Sequence, residues 1–187
     1  PITPVNGPIV SNHAPVLAWT GEVNYTTGGL SPQSGDRNTN FILRLKYSDA
    51  DNQAPNAGYP KLHIKQGGAE IVGSPFSMNF VSSNTYITGA IYTYTKTLTP
   101  ETNYSYSFAA QDSDGIDASG APATEVDAPD VSNQIPALAW TGEANYSASG
   151  LYPSNGATAD NYVFRVKYTD LDNDAPSAGY PKVRIKK

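Results

Sequence analysis

Cysteine is absent from this 187-residue sequence, methionine occurs once, and charged residues make up only 16% of the chain. Without cysteine there are no disulfides, thiolate metal centres or thiol nucleophiles, and the compartment stays open. Charge is below the usual quarter of a soluble domain, and 12 Lys plus Arg stand against 17 Asp plus Glu. That balance speaks against nucleic acid, whose binders carry a basic patch or stripe; here the lysines alternate along expected strands and the acids gather in loops. An anionic membrane surface is disfavoured for the same reason. No apolar run approaches the ~18 residues that cross a bilayer, so no membrane insertion is expected within this segment. Helices are missing as well, because proline, glycine and β-branched residues interrupt every window before a 3.6-residue stripe is established.

What is abundant is the material of short strands and tight turns: 13 Tyr, 15 Pro and 16 Gly among many Ser, Thr and Asn. The chain also repeats itself. Residues 8–66 align without a gap with 129–187 at a constant offset of 121, and 33 of the 59 pairs are identical. Pro15-Val-Leu-Ala-Trp-Thr-Gly-Glu22 returns as Pro136-Ala-Leu-Ala-Trp-Thr-Gly-Glu143, and Ala57-Gly-Tyr-Pro-Lys61 as Ala178-Gly-Tyr-Pro-Lys182. Pro1-Ile-Thr-Pro-Val5 stands in register with Pro122-Ala-Thr-Glu-Val126. The expected organisation is therefore the tail of a preceding repeat at 1–7, one complete repeat at 8–128, and the N-terminal half of another at 129–187. Half a sandwich leaves strand edges unpaired and buries little, so the reading expects a window on a longer array, or completion of the half repeat by another chain.

Period-two alternation marks the strands. It runs through Phe41-Ile-Leu-Arg-Leu-Lys-Tyr47 and Pro60-Lys-Leu-His-Ile-Lys65, then after a Gly67-Gly68 turn through Ala69-Glu-Ile-Val72. It returns in Ala90-Ile-Tyr-Thr-Tyr-Thr-Lys-Thr-Leu98 and Asn103-Tyr-Ser-Tyr-Ser-Phe-Ala109. With Val16 to Thr20 opening the repeat and Ala123 to Val126 closing it, about seven strands are expected, the number of a two-sheet β-sandwich. Trp19 and Trp140 occupy equivalent places and read as core anchors.

Leu98-Thr-Pro-Glu-Thr-Asn-Tyr-Ser-Tyr106 resembles the segment of fibronectin type III domains that leads into a tyrosine-corner strand. The resemblance implies tandem Ig-like repeats of the kind found in bacterial or archaeal cell-surface proteins. It makes Tyr104 the corner residue, with its ring buried and its hydroxyl bonded to nearby backbone.

Acidic loops are the sharpest local signal. Asp49-Ala-Asp51-Asn52-Gln-Ala-Pro55 returns as Asp170-Leu-Asp172-Asn173-Asp174-Ala-Pro176, and Asp112-Ser-Asp114-Gly115-Ile-Asp117 follows the strand of Tyr104. Alternate Asp residues on a turn present hard oxygen ligands, which suits Ca²⁺. In an Ig-like sandwich the loops after the second and sixth strands share one end, so Asp49, Asp51, Asp112, Asp114 and Asp117 would converge there. Asp170, Asp172 and Asp174 are their counterparts. The Asp-x-Asp-Asn-x-Ala-Pro run is also similar to the calcium-binding linker of cadherins. Asp, Asn and Gly equally make good turns with no ion.

Tyr25, Tyr59, Tyr86, Tyr92 and Tyr94 form a second set, either a platform for stacking on sugar rings or half core and half cross-strand packing. The sequons at Asn24, Asn103 and Asn145 mark surface positions only. Catalysis finds little support: His13 and His63 face Gln134 and Arg184 in the second copy, Glu22 and Glu143 have no evident carboxylate partner, and phosphate loops and zinc spacings are missing. The sequence thus points to a non-catalytic structural repeat of an extracellular filament, stalk or cell-surface fibre, stiffened by Ca²⁺ and partnered by neighbouring copies of itself. The alternative is an adhesin or carbohydrate-binding module of a secreted protein, with a glycan as ligand.

Overall fold

The computed structural model describes residues 11–82 and 85–186. The tail expected at 1–7 lies outside the described residues. Contacts divide the chain into two compact units, Pro1–Ser132 and Asn133–Lys187.

The first unit is built from β1 (Val16–Ala18), β2 (Leu30–Ser31), β3 (Ser34–Asp36), β4 (Phe41–Ser48), β5 (Lys61–Gln66) and β6 (Ala69–Glu70). There follow β7 (Phe76–Ser77), β8 (Asn79–Ser82), β9 (Ala90–Lys96), β10 (Tyr104–Ala109), β11 (Val126–Asp127) and β12 (Asp130–Ser132). One sheet runs in the order β1-β4-β9-β8, with β2 also on β4; the other runs β11-β10-β5-β6, with β7 on β5. Every pairing in these two sheets is antiparallel, whereas β12 lies parallel to β3.

Covalent geometry explains the long strands. Successive side chains of an extended chain point to opposite faces, so alternation in sequence becomes a buried face and an open one. In β4 the inward residues are Phe41, Leu43, Leu45 and Tyr47. Opposite them stand Leu62 and Ile64 of β5 and Tyr104, Tyr106 and Phe108 of β10, all in one core with Tyr92 of β9. Two sheets sharing an interior make this an all-β unit consistent with a β-sandwich. Each large apolar side chain so buried is worth about 1.5–3 kcal/mol. Trp19 packs on this core with its ring edge-on to Phe108, centroids 6.3 Å apart. Beside it a Cβ on Gly29 would lie 2.6 Å from the Arg44 carbonyl oxygen and 3.0 Å from the Trp19 ring, so only glycine fits. Tyr104 is buried, and its hydroxyl lies 2.7 Å from Thr99 Oγ1 and donates to the Thr99 carbonyl at 3.3 Å.

Two expectations change. The closing strand, read from the sequence as Ala123 to Val126, is β11 at Val126–Asp127, and Ala121–Ala123 is a 3₁₀ turn. Pro122 favours that outcome: it fixes φ and has no N–H for a ladder. The strand expected over Ala69–Val72 stops at Glu70, and short pairings at β2, β3, β7 and β12 supplement the regular strands.

Burial above all pushes the phenols of Tyr47, Tyr92 and Tyr106 upward, that of Tyr92 from 10.0 to about 12. A raised phenol keeps its proton in the folded state where the unfolded chain has lost it. The resulting stability is complete below about pH 10 and is lost as pH rises through the folded value. An alkaline titration followed by tyrosine absorbance should show an early wave near pH 10 and a delayed one. The delayed wave should coincide with collapse of the β-sheet circular dichroism; one wave with the dichroism intact would contradict this burial.

The second unit contains β13 (Ala137–Ala139), β14 (Leu151–Tyr152), β15 (Val163–Phe164) and β16 (Lys167–Thr169). Ala137 stands opposite Thr169 as Val16 stands opposite Ser48, and Leu151 opposite Phe164 as Leu30 opposite Leu43, each 121 residues on. Asn24 and Asn145 share φ 73°, the left-handed region that Asn tolerates. Burial does not follow. Leu17 is 2% exposed and its counterpart Leu138 62%; Ile64 is 2% exposed and Ile185 76%. The sequence carries one copy of residues 67–128, and that copy gives β9 and β10 to the first unit. Without such partners the counterpart of β4 shrinks to β15 and β16, residues 182–186 form no strand, and an open hollow of about 970 Å³ lies between Leu138, Trp140, Leu151, Phe164, Val166 and Val183.

Candidate functional site

The acidic loops of the first unit follow β4 and β10, and the fold brings them to one end. An isolated antiparallel bridge joins Pro55 to Asp112, and the Asn56 N–H donates to the Gln111 carbonyl at 2.8 Å. Two turns of the same design meet there. In the first, Asp49 Oδ1 accepts the N–H groups of Asp51 at 2.9 Å and Gln53 at 3.0 Å. In the second, Asp112 Oδ1 accepts those of Asp114 at 2.9 Å and Ile116 at 2.8 Å. Asp in a turn does this readily, because its short side chain reaches backbone two to four residues on. Unusually, Asp49 and Asp112 are both fully buried.

Each turn uses one oxygen of its aspartate, and the second oxygens differ. Asp112 Oδ2 accepts from Asn12 Nδ2 at 2.9 Å, and the same amide reaches Asp114 Oδ2 at 3.3 Å. Gln53 Nε2 donates to Asp114 Oδ2 at 2.8 Å. Asp49 Oδ2 and Gln53 Oε1 are buried with no hydrogen-bond partner. Among the described residues no lysine, arginine or histidine forms an ion pair with Asp49, Asp112 or Asp114. Beneath lies the buried Tyr47, whose hydroxyl donates to the Gln53 carbonyl at 3.3 Å. Its own burial and then the negative fields of Asp49 and Asp112 hold that phenol well above the ordinary range.

Asp51 has a different task. Its Oδ2 accepts the His13 N–H at 2.6 Å and its Oδ1 lies 3.0 Å from His13 Nδ1, so it clips the entering chain to the loop. These bonds from His13, the backbone one first, lower its carboxyl below the ordinary value. Asp117 accepts from Gln111 Nε2 at 2.8 Å, and no hydrogen bond ties it to the Asn12–Asp112–Asp114 group. In the second unit Asp170 Oδ1 accepts the Asp172 N–H at 2.8 Å and the Asp174 N–H at 3.3 Å. Asp172 takes the Gln134 N–H, as Asp51 takes that of His13, and its Oδ1 is buried and unpartnered. A hollow of about 550 Å³ opens beside Asn133, Tyr168, Asp170 and Asp174.

Two residues of the acidic end went unnoticed in the sequence, Asn12 and Gln53. The signal was present: Asn12 recurs as Asn133 in a shared Ser-Asn-x-x-Pro run, and Gln53 is replaced by another oxygen-bearing side chain, Asp174.

The tyrosines do not form one platform. Tyr92 is buried and belongs to the core, and Tyr86 packs edge-on to Tyr47 at 6.0 Å. Tyr94 stacks on Phe76 at 5.0 Å, while Tyr25 and Tyr59 lie under Arg44 and Lys61 respectively. Glu22 is bound by Arg44 through two hydrogen bonds of 2.7 and 2.9 Å, and Glu143 by Arg165 at 2.9 Å. Burial would raise the Glu22 carboxyl, but the bonds from Thr20 and Arg44 outweigh it and leave it lowered. His63 pairs with Glu70 at 2.9 Å. Among the described residues no helix is long and apolar enough to cross a membrane. No protein-family model matches the chain, and no curated protein matches it either.

Proposed function

We propose that this chain is a structural repeat segment of an extracellular filament, stalk or cell-surface fibre, built of Ig-like sandwiches in tandem and non-catalytic. The observation that carries the reading is recurrence at 121 residues in both sequence and strand pairing, since a chain that repeats one unit makes a quasi-one-dimensional object. Supporting the Ig-like reading, the order β1-β4-β9-β8 corresponds to the A-B-E-D sheet of an immunoglobulin constant-type sandwich and β11-β10-β5 to its G-F-C sheet, with β6 and β7 added on β5. The Tyr104 hydroxyl on Thr99 has the geometry of a tyrosine corner. Function then resides in length, stiffness and contacts between neighbouring copies, and the location is outside the cell or on its surface.

Electron microscopy of the native material tests this directly. Regular filaments or beaded rods are expected. Compact, dispersed particles would overturn the reading.

A further inference from the structure

The end of the first unit that gathers Asn12, Asp49, Gln53, Asp112 and Asp114 is short of positive charge. Two buried carboxylates and a third beside them meet only amides, and buried charges in proteins are paired or coordinate metals. Turn-making accounts for Oδ1 of Asp49 and Oδ1 of Asp112. It leaves Asp49 Oδ2 buried and bare, with Gln53 Oε1 equally bare in the same loop.

We propose that Asp49, Asp112 and Asp114, with the side-chain carbonyls of Asn12 and Gln53, form a Ca²⁺ site that fastens the entering chain to the unit. Among the described residues no three His, Asp or Glu side chains already stand close enough to hold one ion, so in this arrangement Asp49, Asp112 and Asp114 draw in around the ion as it binds and the two amides complete the shell. Asn12 now donates its NH₂ to Asp112 and Asp114; a half-turn of the amide puts its carbonyl oxygen there instead, exchanging a donor for a ligand. The same turn at Gln53 directs its unpartnered Oε1 to where Nε2 now meets Asp114. Loop side chains with several oxygens suit Ca²⁺, which takes about six to eight and tolerates irregular geometry, while Mg²⁺ keeps most of its waters. Asp51 is not a ligand in this arrangement: it holds the His13 backbone and so sets Asn12 over the loops.

The site belongs to one unit and does not rest on assembly into a filament, so the two readings fail separately. The full chain, stripped with chelator, is titrated with CaCl₂ by calorimetry, and its thermal unfolding is compared in calcium and in chelator. The expected result is saturable binding of one ion per chain, since the second unit has the loop of Asp170 but no counterpart of Asp112 and Asp114. At calcium a hundredfold above Kd, the first unit should melt roughly 5–15 °C higher. Asp114→Asn, at an exposed side chain, should fold normally and lose about tenfold or more in affinity. Superimposable melting curves, no binding heat, or an unchanged affinity in Asp114→Asn would overturn the site. An equal stabilisation by magnesium would overturn its assignment to calcium.

Discussion

Replacing Phe108 by alanine should lower the stability of the first unit by about 3–5 kcal/mol, the usual cost of emptying an aromatic site in a packed interior. Phe108 lies in β10 directly opposite Leu62 of β5, is 2% exposed, and meets the edges of Trp19 and Tyr106. Trp19 follows β1 of the other sheet, so this ring is where the two sheets touch. The cavity cannot collapse easily, because Gly29 is already pressed between the Arg44 carbonyl and the Trp19 ring. Domains are stable by only about 5–15 kcal/mol, so the loss removes much of the total. Urea unfolding of the full chain should show a lower midpoint for the first unit, with Phe108→Leu falling between the variant and the parent. A loss below about 1 kcal/mol would mean that the two sheets do not close on this ring.

Asp112→Ala is expected to be the most damaging change at the acidic end, costing roughly 2–4 kcal/mol when unfolding is measured in chelator, so that no metal contributes. Its carboxylate takes two backbone N–H groups through Oδ1 and the Asn12 amide through Oδ2. Alanine leaves those part-buried N–H groups without their partner and empties the buried site of the carboxylate. Asp112→Asn keeps an oxygen able to accept both and should recover most of the loss, which separates the hydrogen-bonding role from the charge. If alanine and asparagine are equally tolerated, the turn does not depend on this side chain.

How far each element could be read in advance follows from the range of the forces that make it. β4, β9 and β10 were visible because their alternation is strong enough to choose a face without help. Residues 182–186 repeat the pattern of β5 closely, as Lys-Val-Arg-Ile-Lys for Lys-Leu-His-Ile-Lys, and yet form no strand. A strand is held by its neighbours' N–H and C=O groups, and only β5 has β10, β6 and β7 beside it. The short pairings of β2, β3 and β12 were invisible for the same reason: two or three residues carry no period. That also explains why the first unit runs to Ser132 although the recurrence is counted to 128, for β12 lies on β3 and buries Val131.

The sequence by itself determined the 121-residue recurrence, the all-β character, the inward residues of the long strands and the turn-making role of the paired aspartates. These are local properties, set by side-chain alternation and by how far an Asp oxygen can reach along its own backbone. Only the tertiary structure decided which acidic residues meet. Asp49 and Asp112 are 63 positions apart and Asn12 lies a further 37 before Asp49, so their meeting depends on β4 and β10 ending at the same end of the unit. It also decided that Asp51 holds the entering chain while Asp117 stands aside, and that Asp49 keeps one oxygen buried without a partner. Burial and partnership are sums over distant segments, and no spacing within a single loop encodes them.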